Sequence, residues 1–378
     1  MVTDKVMSDP YASPVGLQNA RMVFILGIAE RSGTTYLQDL LRLHPDCDVD
    51  GMELEEDHFV EFSDLLIKFV RSASRGWKAW WGQEQLQRER ELVFRSLGDG
   101  LISYLKMQVV NRRVLNGMHP VDKDLKVLVT KSPSTSNLEL FFRLFPDAEL
   151  IILIRDGRSV VESAVRTFFR RFDRASQQWA NRAESVLRFT RNDASRDRRY
   201  LLVKYEDLYG NSDEEIRRIL SFLRLDVTRY SFERARNLPV RGSSTLRREG
   251  APPTTSAGRG VAPGIHWQPV PKSADFNPLA RWSHWKRGQH ERFNWIAGEY
   301  LTALGYEKKV YPNHRWFWVA RNYLLDWLPI ESSVGLGRKI GRELKANPNK
   351  LGALQKLASK AWGVIKSSAP ARGTGGVA

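Results

Sequence analysis

Residues 22–35 have the sequence Met-Val-Phe-Ile-Leu-Gly-Ile-Ala-Glu-Arg-Ser-Gly-Thr-Thr, an apolar run that leads directly into a short loop bounded by glycines. This order predicts a buried strand, then the loop, then the start of a helix. In such a layout the backbone N–H groups of the loop and of the first helical turn point to one place, where the helix dipole favours an anion. The stretch therefore predicts a phosphate-binding loop.

The loop differs from the nucleotide-kinase pattern G-x-x-x-x-G-K-[ST] at the position that normally carries lysine. Thr34 follows the second glycine here, and the cation of the loop is Arg31, two residues before Gly33. This arrangement suits a phosphate group, but it is poorly suited to holding Mg²⁺ on the tail of ATP.

Continuous apolar runs recur along the chain, and helical patterns separate them. Runs without alternation are typical of parallel strands that are buried on both faces. Their spacing predicts an α/β fold, a P-loop-like doubly wound parallel sheet with helices on both faces, followed by a helical C-terminal appendage. The predicted strands are Met22–Ile28, Lys126–Thr130, Glu149–Ile154 and Tyr200–Lys204.

Changes in composition along the chain predict its domains. A helical insertion is expected at about 61–118, and seven of the 17 prolines fall within 239–278, which predicts a long lid-like loop. The predicted regions are a flexible N-terminus (1–20), a main domain (21–310), a basic amphipathic helical appendage (311–366) and a disordered tail (367–378).

The overall composition limits the class of protein. With 42% hydrophobic and 27% charged residues, the 378-residue chain can build a substantial core. The single cysteine, Cys47, rules out an internal disulfide framework and suits a reducing compartment. No targeting segment is visible and no apolar run reaches ~18 residues, so we expect a cytoplasmic protein without a membrane-spanning helix.

A formal net charge of +16 points to anionic partners, and much of it lies near the C-terminus. Residues 313–378 contain 11 lysines and arginines but only three acidic residues. Aromatic, leucine and lysine residues recur at helical spacing within 313–366, as in helices that lie on anionic membranes. Two interpretations stay open: a peripheral contact with the inner face of the membrane, and a helical appendage packed on the domain or on another subunit of a homo-oligomer.

A second candidate anion site follows the third predicted strand. That strand leads into Arg155-Asp-Gly-Arg-Ser159, and Ser163 comes eight residues after Arg155. At ~100° per residue, Ser159, Ser163, Arg166 and Arg170 would share one face of the following helix. A solvated helix with surface arginines would also explain this segment taken alone. Its position at the carboxyl end of a parallel strand, together with the first loop, favours a second phosphate site.

The two motifs together resemble those of the sulfotransferase family, whose members combine a 5′-phosphosulfate loop with an arginine and a serine eight residues apart. Shorter likenesses follow in the same order along residues 20–310. They come closest to the branch that contains the tyrosylprotein sulfotransferases and many bacterial relatives. These segments are Leu43-His-Pro-Asp46, Phe145-Pro146, Lys204-Tyr-Glu-Asp-Leu208 and Leu304-Gly-Tyr306.

The resemblance implies 3′-phosphoadenosine 5′-phosphosulfate as the sulfate donor, 3′-phosphoadenosine 5′-phosphate as its product, and no metal ion. Sulfuryl transfer places less charge on the bridging oxygens than phosphoryl transfer does, so fixed protein donors can neutralise it. The 3′-phosphate would lie on Arg155 and Ser163, and Tyr205 would help to hold the nucleotide unless it only packs in the core. The 5′ end would bind Arg31, Ser32, Gly33, Thr34 and Thr35, and a segment closing over the nucleotide would supply Arg241, Ser243 and Ser244.

The resemblance also implies a general base and a catalytic lysine. Relatives place a glutamate in a Gly-Glu-Glu segment. This chain has Gly51-Met-Glu-Leu-Glu-Glu-Asp-His58, in which Glu53 is the first candidate, Glu55 the second and His58 the third. For each acid, a solvated loop carboxylate is the alternative. Lys131, at the end of the second predicted strand, corresponds to the lysine of a Lys-x-Pro segment and would stabilise the leaving oxygen.

We therefore predict a sulfotransferase that moves sulfate to a hydroxyl acceptor, which could be a carbohydrate, a lipid, a small metabolite or a peptide tyrosine. One alternative is a P-loop kinase of a small molecule, which would leave Arg155 and Ser163 without a purpose. The other is a non-catalytic basic protein that binds membrane or nucleic acid, although no specific nucleic-acid partner is expected. The tyrosylprotein branch also uses the serine of a Ser-Lys-Trp segment, and this chain has Ala280-Arg-Trp282 there.

Overall fold

The computed structural model describes residues 17, 19–49, 56–77, 80–115, 125–192, 199–239 and 277–327, and every structural statement concerns these residues. The strands are β1 (Arg21–Gly27), β2 (Cys47–Asp48), β3 (Val127–Ser132), β4 (Glu149–Ile154) and β5 (Tyr200–Lys204). The helices are α1 (Thr34–Leu41), α2 (Ser63–Ala73), α3 (Gln83–Leu115), α4 (Phe141–Leu144), α5 (Gly157–Phe168), α6 (Phe172–Asn192), α7 (Tyr205–Gly210), α8 (Ser212–Phe222), α9 (Phe232–Arg236), α10 (Arg287–Ala303) and α11 (Arg315–Trp327).

The five strands form one parallel sheet in the order β2-β3-β1-β4-β5. β1 lies in the centre, with Phe24 opposite Thr130 of β3 on one side and opposite Leu150 of β4 on the other. The chain runs from β1 to the edge strand β2, returns to β3 beside β1, and then crosses to the other side for β4 and β5. This reversal is typical of doubly wound folds, and the predicted fold class is confirmed. Such sheets bind ligands at the carboxyl ends of the strands where the order reverses, which here are the ends of β1 and β4.

Helices cover both faces of this sheet. Because strand side chains alternate, Val23 and Ile25 of β1 face one side, where they share a buried cluster with residues of α1 and α8. Phe24 faces the other side, and its ring centroid lies 5.3 Å from that of Phe141 in α4 and 4.6 Å from that of Phe145. Burial on both faces is the physical reason why the strands are continuous apolar runs.

Three details of the structure depart from the prediction. β3 extends to Ser132, two residues beyond the predicted end, so Lys131 belongs to the strand itself. α6 is absent from the predicted elements although its apolar residues have helical spacing, because polar and charged residues dominate the segment. α5 ends at Phe168 and Phe169 has a φ of 51°, so the predicted placement of Arg170 on the helical face of Ser163 is wrong.

The chain divides into two compact units. The first comprises residues 1–285 and 296–308, and the second comprises residues 286–295 and 309–378. The first unit contains the whole sheet. Leu17 and Ala20, at the end of the segment that we predicted to be flexible, are buried there, and the Ala20 N–H donates to the Leu17 carbonyl at 3.1 Å.

In the second unit the first half of α10 contacts α11. Arg292 pairs with Asp326 at 2.7 Å, the Trp295 indole N–H donates to the same carboxylate at 2.7 Å, and the Trp295 and Tyr323 rings are 4.7 Å apart. α11 confirms the helix that the aromatic spacing after residue 313 predicts, whereas the rest of the predicted appendage lies outside the described residues. No helix in the described part of the chain combines the length and the low charge that crossing a membrane requires.

Candidate active site

The predicted phosphate loop joins β1 to α1, which confirms its strand–loop–helix layout. Two of its residues have a positive φ, Arg31 at 73° and Gly33 at 100°. The Ser32 hydroxyl accepts a hydrogen bond from the Ala29 N–H at 2.9 Å and so holds the turn closed. Gly33 is the N-cap of α1 and offers no capping side chain, so no cap oxygen competes with an anion for the N–H groups of the first turn.

The ring of Tyr205 covers the loop. A Cβ atom built on Gly33 would lie 2.3 Å from this ring, so only glycine allows the contact at that positive φ. The guanidinium of Arg155 also lies over this ring, 4.1 Å from the ring centroid. Tyr205 is buried, and this burial raises the pKa of its hydroxyl although the charge of Arg155 lowers it. The ring thus connects the first predicted anion site to the second.

Three arginines converge on the second site. The Nε–H of Arg31 and an Nη–H of Arg281 both donate to the Ser163 hydroxyl, each at 3.1 Å. Arg155 donates to the Arg31 carbonyl at 2.7 Å and also to the carbonyl of Pro278. We call Arg31, Arg155, Arg281 and Ser163 the arginine cluster.

The electrostatics of the arginine cluster indicate an anion site. Burial, and then the charge of Arg155, lowers the pKa of Arg31 to about 10. Burial, Arg155 and Arg31 together lower the pKa of Arg281 to about 9. The Nε atoms of Arg155 and Arg281 are buried and have no hydrogen-bond partner in the part of the chain that the structure describes. A phosphate would satisfy these donors and offset the repulsion, so the cluster fits a phosphate group.

Arg281 is the member of the cluster that the sequence-based prediction omits. It stands in the Ala280-Arg-Trp282 segment, in which the family resemblance concerns the serine that this chain lacks. The segment is held on the start of α5 because the Ser159 hydroxyl donates to the Leu279 carbonyl at 2.5 Å and Arg158 stacks on Trp282 at 3.8 Å. In the sequence, the sign of this role is the presence of an arginine in the segment.

The start of α5 is fixed by Asp156. Its carboxylate accepts the Arg158 N–H at 2.8 Å as an N-cap and also pairs with the Arg158 guanidinium at 2.7 Å. The Asp156 N–H donates to Glu206 at 3.0 Å, and Glu206 accepts the Tyr306 hydroxyl at 2.8 Å. Burial raises the pKa of Glu206. Two of the shorter family-like segments, 204–208 and 304–306, therefore support the second anion site.

Lys131, the predicted catalytic lysine, is buried at the carboxyl end of β3. Its Nζ lies 3.4 Å from Oε1 of Glu56, a carboxylate outside the predicted set of candidate bases. His58 has its Nε2 3.4 Å from Glu56 and its Nδ1 2.9 Å from Glu61. The structure therefore brings Glu56 to the lysine, and His58 to Glu56. Glu53 and Glu55, and with them Arg241, Ser243 and Ser244, lie outside the described residues.

Residues 56–61, which we call the acidic segment, are attached to β3 by Asp57. Its N–H donates to the Lys131 carbonyl at 3.1 Å, and its carboxylate accepts the Thr130 hydroxyl at 2.8 Å and the Phe59 N–H at 2.9 Å. The side chain is buried, and this burial raises the pKa of Asp57 to about 6. Glu56 and His58, its two neighbours, are thereby held at the end of the strand.

The phosphate loop is tied to α6 through Glu30. This carboxylate pairs with Arg170 at 2.9 Å and with Arg182 at 3.1 Å, and Arg182 also pairs with Glu61 at 3.2 Å. Burial raises the pKa of Glu30, but the hydrogen bond from Arg170 and the charges of both arginines outweigh it, so the pKa lies below its ordinary value. Arg170 therefore neutralises an acid of the loop.

Two further side chains that the sequence analysis singled out have structural roles. Cys47 is buried and free, and burial raises the pKa of its thiol, so it fits the predicted structural role. Trp285, left without a role by the sequence, is buried and donates its indole N–H to Glu162 at 2.7 Å. Within the described ranges, no three His, Cys, Asp or Glu side chains form a group that could hold a metal ion.

Comparison with known proteins decides the family. The sequence model of the sulfotransferase family matches residues 22–229, more than half of the chain, and it includes both anion motifs. The chain belongs to the sulfotransferase family. This sulfotransferase-family chain is 26% identical over 210 residues to the protein-tyrosine sulfotransferase of Drosophila melanogaster, covering 53% of the chain but only 38% of that relative's length. A putative protein-tyrosine sulfotransferase of Caenorhabditis briggsae is 26% identical over 220 residues, 56% of the chain and 69% of the relative.

Solved structures of sulfotransferases are similar to this family member at low identity. The sulfotransferase domain of the curacin biosynthetic pathway has 17% identity and a TM-score of 0.40, with 77% of this chain and 99% of that chain covered. The sulfotransferase domain of the Synechococcus PCC 7002 olefin synthase has 22% identity and a TM-score of 0.34, with 55% and 74% covered.

Proposed function

We propose that this chain transfers the sulfuryl group of 3′-phosphoadenosine 5′-phosphosulfate to a hydroxyl acceptor without a metal ion. The observation that carries the proposal is the arginine cluster, in which the buried Nε–H groups of Arg155 and Arg281 have no acceptor among the described residues. A nucleotide with phosphates only at its 5′ end has no group for this cluster, whereas a 3′-phosphate offers several acceptor oxygens. The cluster therefore supports the sulfate donor over ATP.

The residues of the two motifs would divide the donor between them. The N–H groups of Gly33, Thr34 and Thr35 would hold its 5′ end, and Arg155, Ser163 and Arg281 its 3′-phosphate. The Ser32 N–H donates to the Ala29 carbonyl at 3.2 Å, so Ser32 would shape the loop that binds the 5′ end. Arg31 was expected at the 5′ end, but its Nε–H bonds to Ser163, so we assign it to both phosphates. Arg241, Ser243 and Ser244 stay proposed nucleotide contacts on the strength of the resemblance alone.

The acidic segment beside Lys131 would serve the acceptor. In the reaction an S–O bond forms to the acceptor oxygen while the S–O bond to the 5′-phosphate breaks, and the acceptor proton must leave. Lys131 is the buried cation that would neutralise the departing phosphate oxygen. Glu56, 3.4 Å from Lys131, is our first candidate for the base because it is the carboxylate beside the lysine in the described residues. Glu53 and Glu55 stay candidates beside it.

Calorimetric titration with 3′-phosphoadenosine 5′-phosphate and with ADP tests the donor assignment. We expect the 3′-phosphate nucleotide to bind at least tenfold more tightly, and Arg155→Ala to remove that preference while it leaves ADP binding little changed. Arg188→Ala is the matched control, since its exposed side chain pairs with Glu139 on the surface. Equal or tighter binding of ADP by the unaltered chain would contradict the proposal.

We also propose a cytoplasmic location with peripheral attachment to anionic membranes through the second unit. α11 exposes Trp316, Phe317, Tyr323 and Leu324, and these positions fall on one side of the helix. The strongly basic residues 313–378 would add electrostatic attraction to an anionic surface.

Sedimentation with vesicles of phosphatidylglycerol and phosphatidylcholine tests the attachment. We expect the full chain to sediment with them, and the double variant Trp316→Ser/Phe317→Ser to lose most of this binding. Leu92→Ser, a change of an exposed apolar residue in α3, is the control. Undiminished sedimentation of the double variant would overturn the attachment, while the donor assignment would stand.

A further inference from the structure

α2 exposes an apolar stripe beside the candidate active site. Phe62, Leu65 and Phe69 follow one another at helical spacing, and they are 56%, 54% and 57% exposed. The helix is buried along an adjacent face, through Ser63 and Val70. These three large apolar side chains form one small exposed apolar patch. We call these three residues the α2 stripe.

The α2 stripe is continuous with the acidic segment that carries Glu56. Phe62 comes six positions after Glu56, and the centroid of its ring lies 6.4 Å from that of His58. The start of α2 is also fixed to the segment after β3, because the Asn137 amide donates to the Glu61 carbonyl at 2.8 Å and to Asp64 at 3.2 Å. The stripe therefore begins where the hydroxyl of an acceptor would meet Lys131.

The size and charge of the α2 stripe indicate which kind of molecule can bind to it. Three half-exposed side chains offer roughly 300 Å², well below the ~800 Å² per partner of a stable protein interface. Asp64 pairs with Lys68 at 2.7 Å, so neighbouring charges on the helix neutralise one another. A narrow, uncharged strip of this size fits an alkyl or acyl chain.

We propose that the acceptor is a hydroxyl compound with an alkyl or acyl chain, and that the chain lies on the α2 stripe. The inference rests on the proposed sulfuryl transfer and names its substrate class. In the reaction the acceptor oxygen forms the new S–O bond, the S–O bond to the donor phosphate breaks, and the hydroxyl proton passes to a carboxylate of the acidic segment. The product is an alkyl sulfate, with its charged head at Lys131 and its chain on the stripe.

Binding of alkyl sulfates, the products of such a reaction, tests the inference without requiring turnover. Calorimetry would compare butyl, hexyl, octyl and decyl sulfate on the full chain saturated with 3′-phosphoadenosine 5′-phosphate. A fully buried methylene strengthens binding about fourfold, and on a one-sided stripe we expect about twofold for each added methylene. The double variant Leu65→Ser/Phe69→Ser should lose most of this dependence on length, whereas Val310→Ser, which alters an exposed apolar residue outside α2, should keep it.

The outcomes separate this inference from the proposed function. Equal affinity for all four sulfates, or an unchanged length dependence in the double variant, would overturn the lipid-like acceptor while nucleotide binding leaves the sulfotransferase assignment intact. Self-association of the unaltered chain that the double variant abolishes, measured by sedimentation velocity, would overturn it as well, because the stripe would then bind a second copy. Preference for ADP over 3′-phosphoadenosine 5′-phosphate would remove the proposed function itself.

Discussion

Gly33 shows how a single residue joins the two anion motifs. Its φ of 100° and its contact with the Tyr205 ring leave no room for a Cβ atom. In Gly33→Ala the strained backbone costs about 1–2 kcal/mol, and the Tyr205 ring has to leave its present position, where it stacks with Arg155. We expect affinity for 3′-phosphoadenosine 5′-phosphate, measured by calorimetry, to fall at least tenfold. Gly210→Ala is the matched control because an added Cβ there meets nothing within 4 Å; equal effects of the two changes would contradict the role of Gly33.

The proposed base can be identified by comparing three glutamates. Because Glu56 lies 3.4 Å from Lys131, we expect Glu56→Gln to lower kcat by about 10²–10⁴-fold while nucleotide affinity stays within about twofold. Glu53→Gln and Glu55→Gln are the comparisons, and an effect below about tenfold is expected for each. If one of these two variants loses the activity and Glu56→Gln keeps it, the base is that residue instead.

Asp57 should make stability depend on pH. Its pKa is raised by burial from 3.8 to about 6, so between these values the folded chain holds a proton that the unfolded chain has lost. The free energy of unfolding therefore falls as pH rises through this window, by about 3 kcal/mol in total from this group. Urea denaturation at pH 4 and pH 6.5 should show this decrease in the free energy of unfolding of the unaltered chain. In Asp57→Asn the contribution of this group to the decrease should be absent. An identical pH dependence in both would refute the buried carboxyl as its source.

At the scale of elements, α5 depends on its first residues. Asp156 caps the helix and also neutralises the buried Arg158, so Asp156→Ala removes an N-cap and leaves a buried charge alone. We expect a loss of about 3 kcal/mol in the free energy of unfolding, measured with urea. Asp226→Ala removes an equivalent cap, the bond to the Thr228 N–H at 3.0 Å, from an exposed position and should cost less than about 1 kcal/mol. Equal losses would show that the pair with Arg158 contributes nothing.

The sequence predicts the elements where the local pattern and the packing agree. The apolar runs of β1, β4 and β5 match the strands because helices cover both faces of the sheet, and α10 matches its stripe up to Gly305, whose φ is 80°. α6 also has an apolar face, with Trp179, Val186 and Phe189 buried at helical spacing, but polar and charged residues dominate the segment as a whole. An element is therefore predicted most readily where the whole segment is apolar, and an amphipathic helix rich in polar residues is missed.

The candidate site shows a further limit of local sequence patterns, which do not connect residues that lie far apart in the chain. Arg155 and Ser163 are predictable because one helical motif contains both. Arg281 is 118 residues from Ser163, and no local pattern joins them; only the fold of the segment before α10 onto α5 brings the cation to the cluster. Glu56 and Lys131 are separated by 75 residues in the same way.

At the scale of the whole molecule, the first unit carries the chemistry and the second has an exposed apolar helix face. The parallel sheet brings the phosphate loop, the arginine cluster and Lys131 to the carboxyl ends of its central strands. The net charge of +16 suits a molecule with an anionic donor and a basic tail, but the charge alone does not distinguish a sulfate donor from ATP.

The central claim is that the transferred group is a sulfuryl group. The most direct test gives the full chain a mixture of alkyl, sugar and phenolic hydroxyl acceptors, once with ³⁵S-labelled 3′-phosphoadenosine 5′-phosphosulfate and once with γ-³²P-labelled ATP and Mg²⁺. We expect label in an acceptor from the sulfate donor, without added Mg²⁺, and its loss in Lys131→Ala. Transfer of ³²P from ATP with none of ³⁵S would contradict the account.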